Sequence, residues 1–361
     1  MRLIVPTTFE RSFLESLADY PVNRIYGSLP TEAGARAKAW LPQAGEDDLK
    51  PHIADARSRG IGFYYTLNAS CGGNREFSGQ GQKWLAERLG WLVEAGAEGI
   101  VTANPYLMDM VKQRYPELRV CVSTLANVDT VEKALFYERM GADTIYVADY
   151  INRDFKLLKA IKKRVSCELV IALNLGCLMQ CPFREYHANF VSHASETLDH
   201  GCYLDYSLAR CTQIKSTTPV ELMKAPWIRP EDVVKYEKMG FTAFKIAGRE
   251  MGGEWVLRAV AAYAACKYAG NLNDLMIGFE GVDPFGEFPV YLDNSRLDGF
   301  IDFFAKKDCR LGCNGCSHCE EWLQRAITVD GNTQHYSDRI DRLIRRFTSG
   351  SFKAPLARAA F

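Results

Sequence analysis

LRVCVSTLANVDTVEKALFYERMGADTIYVADYINRDFKLLKAIKKRVSCELVIALNLG, residues 118–176, holds three strand-length apolar runs separated by two helical patterns. The runs are LRVCVSTLAN, TIYVADY and ELVIALNLG. They are short and rich in Val, Ile and Tyr, as strands buried on both faces are. VEKALFYERMGA and FKLLKAIKKRV repeat their apolar residues at helical spacing. Strand, helix and strand in this order join parallel neighbours through right-handed crossovers.

The same rhythm extends outward. RLIVPTT, NRIYGSL, IGFYYTLN and EGIVTAN precede the stretch, and FTAFKIAGR follows it. QKWLAERLGWLVEAGA, VEKALFYERMGA and PEDVVKYEKMGF each carry a Gly before the next strand, the position of a helix C-cap. Eight such units in roughly 250 residues predict a (β/α)8 barrel over residues 1–272. A doubly wound sheet is the competing arrangement, but no GxGxxG follows an early strand. The seventh unit is irregular. After ELVIALNLG no clear helix is expected until Pro230, so a Cys-rich insertion of about 176–230 follows strand 7 at the face where barrel active sites are built. Residues 273–361 lack the βα rhythm and form a Cys-rich C-terminal extension, with a mobile tail expected in SGSFKAPLARAAF.

Lys and Arg number 44, as do Asp and Glu, so the formal net charge is zero. That balance argues against a nucleic-acid backbone as main partner. No stretch approaches the roughly 18 apolar residues of a membrane span. MRLIVPTTFERSF lacks the basic and long apolar regions of a signal peptide. A cytoplasmic location is therefore expected, where disulfides are rare. Twelve cysteines then point to metal.

The cysteines fall into three sets. Cys71, Cys121, Cys167 and Cys266 are scattered; Cys121 and Cys266 sit in apolar contexts that suit small core residues, and Cys71 follows a strand and could face a site. Cys177, Cys181, Cys202 and Cys211 lie in the insertion. Soft thiolates on loops suit an iron–sulfur cluster or zinc, and the loose CxxxC favours a cluster. CRLGCNGCSHC contributes Cys309, Cys313, Cys316 and Cys319, a spacing that suits a second iron–sulfur cluster or zinc, with His318 able to replace a cysteine.

PELRVCVSTLANVDTVEKALFYERMGADTIYVADYINRDFKLLKAIKKRVSCELVIALNLGCLMQC, together with PEDVVKYEKMGFTAFKIAGRE, resembles the collagenase-like peptidase family of unassigned catalytic type, U32. The likeness covers roughly residues 95–255 and rests on the Ser-Thr strand end, the Gly-acidic helix end and the strand leading into cysteines. Better-understood relatives hydroxylate ubiquinone precursors without oxygen, working as paired subunits, or hydroxylate bases of ribosomal or transfer RNA. The resemblance implies a [4Fe–4S] cluster, with prephenate implicated as oxygen donor. Cys177 and Cys181 match the family's first two cysteines and Cys202 its third. The chain departs from the pattern in three ways. The first cysteine spacing is shorter. LMKAPW stands where the fourth cysteine belongs, which leaves Cys211 as substitute. Ala247 replaces the family's Glu before Gly-Arg.

Polar residues end several strands: Asn68, Asn104, Ser123, Thr124, Asp149, Asn174, Lys245 and Arg249. At one barrel face they would converge on a ligand. Lys245 and Arg249 suit a carboxylate, the guanidinium in a two-point grip. Arg184, His187 and His193 lie between the insertion's cysteines, where a histidine can shuttle protons. The leading expectation is an iron–sulfur oxidoreductase for oxygen-independent hydroxylation or oxygen-atom transfer on a small organic substrate, with a carboxylate oxygen donor and a related partner subunit. The alternatives, in order, are an RNA base hydroxylase, an electron-transfer subunit of a two-protein hydroxylase, and a peptidase. No GxSxG, HExxH or Ser–His–Asp set supports the last.

Overall fold

The computed structural model describes residues 1–32, 34–36, 41–194, 206–278, 287–309, 312, 313, 315–329, 331 and 333–350. Eight parallel strands close into a barrel in chain order. They are β1 (Arg2–Pro6), β2 (Val22–Gly27), β3 (Gly62–Thr66), β4 (Gly99–Thr102), β5 (Arg119–Val122), β6 (Thr144–Tyr146), β7 (Glu168–Ala172) and β8 (Ala243–Lys245). β8 pairs with β1, matching Lys245 to Ile4 and closing the ring. All eight apolar runs read from the sequence are strands of this barrel, so the closed sheet holds and the doubly wound alternative does not.

Helices α1 (Arg11–Leu17), α2 (Glu46–Ser58), α3 (Gly79–Ala95), α4 (Pro105–Arg114), α5 (Val131–Arg139) and α6 (Phe155–Arg164) fall between successive strands. Local chemistry fixes their ends. The Asn104 side chain accepts from the Tyr106 amide at 2.9 Å, with Pro105 opening α4. Thr130 and Asp154 cap α5 and α6 in the same way. Gly96 and Gly141 leave α3 and α5 at φ +83° and +90°, a left-handed backbone that a side chain would strain.

The seventh unit departs from expectation. It contains α7 (Arg184–Ala194), α8 (Tyr206–Thr217) and α9 (Val220–Lys224) before α10 (Val233–Glu237) leads into β8. α11 (Gly253–Ala264) follows the barrel, then β9 (Val290–Leu292), α12 (His318–Ala326), β10 (Ile327–Val329) and α13 (Thr333–Thr348). β9 and β10 pair antiparallel. α13 lies along α8, which supplies the insertion helix with an apolar face its own sequence lacks. Leu292, Phe300, Ile340 and Leu343 belong to the same hydrophobic cluster as the barrel's outer core.

Period-two alternation sends one set of side chains inward. Ile4, Tyr26, Tyr64, Val101, Cys121, Tyr146, Val170 and Ala243 pack there as a separate cluster. Arg24 pairs with Glu168 below them, at the end where strands begin. The interior is thus filled by side chains.

Candidate functional site

The last inward residue of β8 is Lys245. Its ammonium lies 4.7 Å from the Tyr26 ring centroid and 5.1 Å from that of Tyr146, in cation–π contact with both. Among the described residues no acceptor takes a hydrogen bond from it. Burial, then the charges of Arg249 and Arg36, lower its pKa to about 7. Arg249, four residues on, is 7% exposed and donates to Ser28 Oγ at 3.1 Å and Thr66 Oγ1 at 2.6 Å. Both acceptors are neutral. Burial and the Arg36 charge lower its pKa to about 10, so the guanidinium stays charged at neutral pH. Arg36 is committed elsewhere, donating to Glu250 at 2.8 Å. Burial raises the Glu250 carboxyl, but the Arg36 charge and hydrogen bond outweigh it and leave it below its ordinary value.

These groups line a cavity of about 80 Å³ with Asn68, Thr124 and Leu175. Among the described residues neither basic head has a carboxylate ion pair, and the recess has two aromatic walls, an arrangement that suits an anion. The Tyr146 hydroxyl and Asn68 Oδ1 are buried there without hydrogen-bond partners. A larger groove of about 500 Å³ opens beside it on the same face, between Leu67, Arg75, Glu76, Trp84 and Asn104.

The insertion borders this mouth. Arg184, on the first turn of α7, grips Asp149 at the end of β6 through two bonds of 2.8 and 3.0 Å. Asp149 raises the Arg184 pKa against the cost of burial. Ser192 and Asn189 on the same helix bind Ser70 in the loop after β3, at 2.8 and 2.7 Å. Cys177 and Cys181 sit within electrostatic reach of the Arg184–Asp149 pair and of Lys215, and Cys177 also of Cys211. Cys177 is exposed, and the electrostatics of its surroundings raise its thiol. Cys181 is raised less. Three of the four insertion cysteines therefore share one neighbourhood. Cys202 lies outside the described residues. No three His, Cys, Asp or Glu side chains among the described residues already stand as a metal-ligating group.

The other expected site residues separate. His187 is half-buried on α7, and His193 is exposed on it. Asn104 is a helix cap, and Asn174 is a clamp: it donates to the Ala247 and Leu275 carbonyls and accepts from the Ala247 amide. Cys309 and Cys319 lie within electrostatic reach of Cys313, Cys316 and Arg153, and Cys313 and Cys319 within reach of Lys224. Sequence reading did not single out Arg36 or Arg153. Arg36 meets Glu250 across 214 residues of chain, which leaves no local signal.

A profile of peptidase family U32 matches residues 11–271. The chain belongs to peptidase family U32. An uncharacterised protease of Methanocaldococcus jannaschii is 33% identical over 309 residues, covering 84% of this U32 chain and 89% of the relative. A solved U32 peptidase structure superposes with a TM-score of 0.52 at 26% identity, covering 68% of this chain and 92% of that one. The barrel, and the residues from Phe9 to Leu272 that carry its mouth, fall almost wholly within the matched span.

Proposed function

We propose that this U32 chain is an iron–sulfur enzyme that moves an oxygen atom from a hydroxylated carboxylate donor to a small organic acceptor without molecular oxygen. The observation that carries the reading is that Cys177 and Cys181 lie near Arg184 and Lys215, with Cys211 near Cys177, beside a mouth lined by Lys245 and Arg249. The donor set suits a cluster: two soft thiols on the loop after β7 and a third on α8, with Arg184 and Lys215 near the loop thiols to offset thiolate charge. Cys177, Cys181 and Cys211 would hold it, with Cys202 as the fourth ligand.

When bound, the cluster supplies electrons or a Lewis-acid iron for activating the donor. The chain's own residues do the rest. Arg249 takes the donor's carboxylate in two-point contact, already aimed by Ser28 and Thr66. Lys245, with a pKa near 7, carries a proton at Nζ beside that carboxylate and can release or regain it near neutrality. Tyr26 and Tyr146 wall off water on both sides of the ammonium. The Arg184–Asp149 pair fixes the start of α7 over β6. In the overall exchange the donor R–OH becomes R–H while the acceptor R′–H becomes R′–OH, so no outside electrons are consumed.

The test is the visible spectrum of the chain purified without oxygen. A broad charge-transfer band that fades in air and returns after anaerobic treatment with iron and sulfide supports the reading. A colourless, iron-free chain under those conditions overturns it.

A further inference from the structure

We propose that Cys309, Cys313, Cys316 and Cys319 together hold a second, thiophilic metal centre, and that buried Arg153 is its built-in counter-charge. The backbone prepares the four thiols. The Gly312 amide donates to the Cys309 carbonyl at 3.2 Å, and the Cys316 amide to the Cys313 carbonyl at 3.0 Å. Gly312 and Gly315 take φ of +89° and +68°, a left-handed backbone that glycine adopts without strain. Cys319 then enters on the first turn of α12. Each of Cys309 and Cys319 lies within electrostatic reach of Cys313 and Cys316.

The support beneath them is rigid. The His318 ring stacks on Phe303 at 4.0 Å and 10°, and on Phe300 at 5.2 Å and 8°. Its Nε2 meets the Phe300 carbonyl at 3.0 Å. The ring is a wedge between α12 and the Phe300–Ala305 turn, so the four thiols are the natural ligand set.

Arg153 is the independent observation. It is 5% exposed. Its guanidinium donates to the Met223 and Trp227 carbonyls and lies 4.3, 4.9 and 5.2 Å from the rings of Trp227, Phe300 and Phe304. Its Nε has no acceptor. Among the described residues no carboxylate pairs with it. A buried cation without an anion is costly and needs a reason. Of the ionisable groups that act on it, Cys319 is the strongest, followed by Tyr236, Cys309 and Asp232, and Asp232 is itself paired with Arg229 at 3.4 Å. Four thiolates around zinc carry a net charge of minus two, and so do four around an oxidised [4Fe–4S] core. Lys224, paired to Glu221 at 2.8 Å, faces Cys313 and Cys319 and adds a second cation. A metal drawn to these thiols would complete a site whose opposite charge is already in place. The inference does not depend on the barrel cluster, because it uses none of the same residues.

The experiment is metal and sulfide analysis of the full chain, purified without oxygen, as wild type, Cys177→Ala/Cys181→Ala and Cys309→Ser/Cys313→Ser. The C-terminal variant should lose a metal that the barrel variant keeps. Zinc lost alone identifies a mononuclear centre; iron lost with sulfide identifies a cluster. Wild-type metal content in the C-terminal variant overturns the proposal. If that variant does not fold, iodoacetamide labelling of the wild-type chain decides. The four cysteines should resist alkylation as isolated and react after chelator treatment; equal, rapid labelling in both states overturns the site. Arg153→Gln should surrender the metal to a chelator at least tenfold faster than wild type, with Arg153→Lys in between. An unchanged rate overturns the counter-charge role.

Discussion

Arg184 holds Asp149 by two parallel hydrogen bonds of 2.8 and 3.0 Å, joining the first turn of α7 to the end of β6. The Asp149 side chain is 2% exposed. Removing the cation leaves a buried carboxylate with its main partner gone. Arg184→Leu should therefore cost about 3–5 kcal/mol in chemical denaturation, and Arg184→Leu/Asp149→Asn should recover part of that loss. Equal destabilisation in the single and double variants would show that the pair contributes only through packing.

Lys245 gives the site a pH signature. Its folded-state pKa, about 7, lies below the ordinary lysine value of 10.5 because burial and two arginines oppose the charge. Between those values the unfolded chain binds the extra proton. This group therefore makes stability rise with pH from about 7 to 10.5, and it destabilises the fold most below 7. Anion binding runs the other way, strengthening as pH falls through 7 and the ammonium forms. Titration of a dicarboxylate probe by calorimetry should show this slope in wild type and lose it in Lys245→Met. A slope that persists in Lys245→Met would assign the titration to another group.

Arg249 should dominate affinity for the same probe. Charge-assisted hydrogen bonds are worth about 1.5–3 kcal/mol each, so loss of even one of the two in Arg249→Gln should weaken binding roughly 10- to 100-fold. Ser28 and Thr66 would keep neutral partners in the variant, and the melting temperature should move little. Undiminished binding would place the anion elsewhere, with the neighbouring groove beside Arg75 as the next region to probe.

Asn174 is the contrasting case, a strand-end polar residue with a structural task. Its amide links the end of β7 to the backbone beyond β8 and to Leu275. Asn174→Ala should cost about 2–3 kcal/mol without changing the charge of the mouth. A variant of wild-type stability that fails to bind the probe would instead place Asn174 at the ligand.

The barrel was legible because its strands are short, β-branched and punctuated by helix caps such as Asn104, Thr130 and Asp154, all local signals. Lys245 stood out in the sequence because a charge at an inward strand position needs a reason, and Arg249 because it is one of the polar residues beyond a strand end that suit a carboxylate. The insertion helices were not. SLARCTQIKST and HANFVSHA carry no clean apolar stripe, and α8 packs most extensively against α13, more than a hundred residues later. Arg153 was invisible for the same reason. Its cage is built from Trp227, Phe300 and Phe304, and nothing in YINRDF announces it.

The barrel cluster is tested most directly by iron and acid-labile sulfide counts per chain in anaerobically purified wild type and Cys177→Ala/Cys181→Ala. The variant should lose about four irons and four sulfides relative to wild type while its circular dichroism stays unchanged. The same iron and sulfide content in both proteins would contradict a cluster at the barrel mouth.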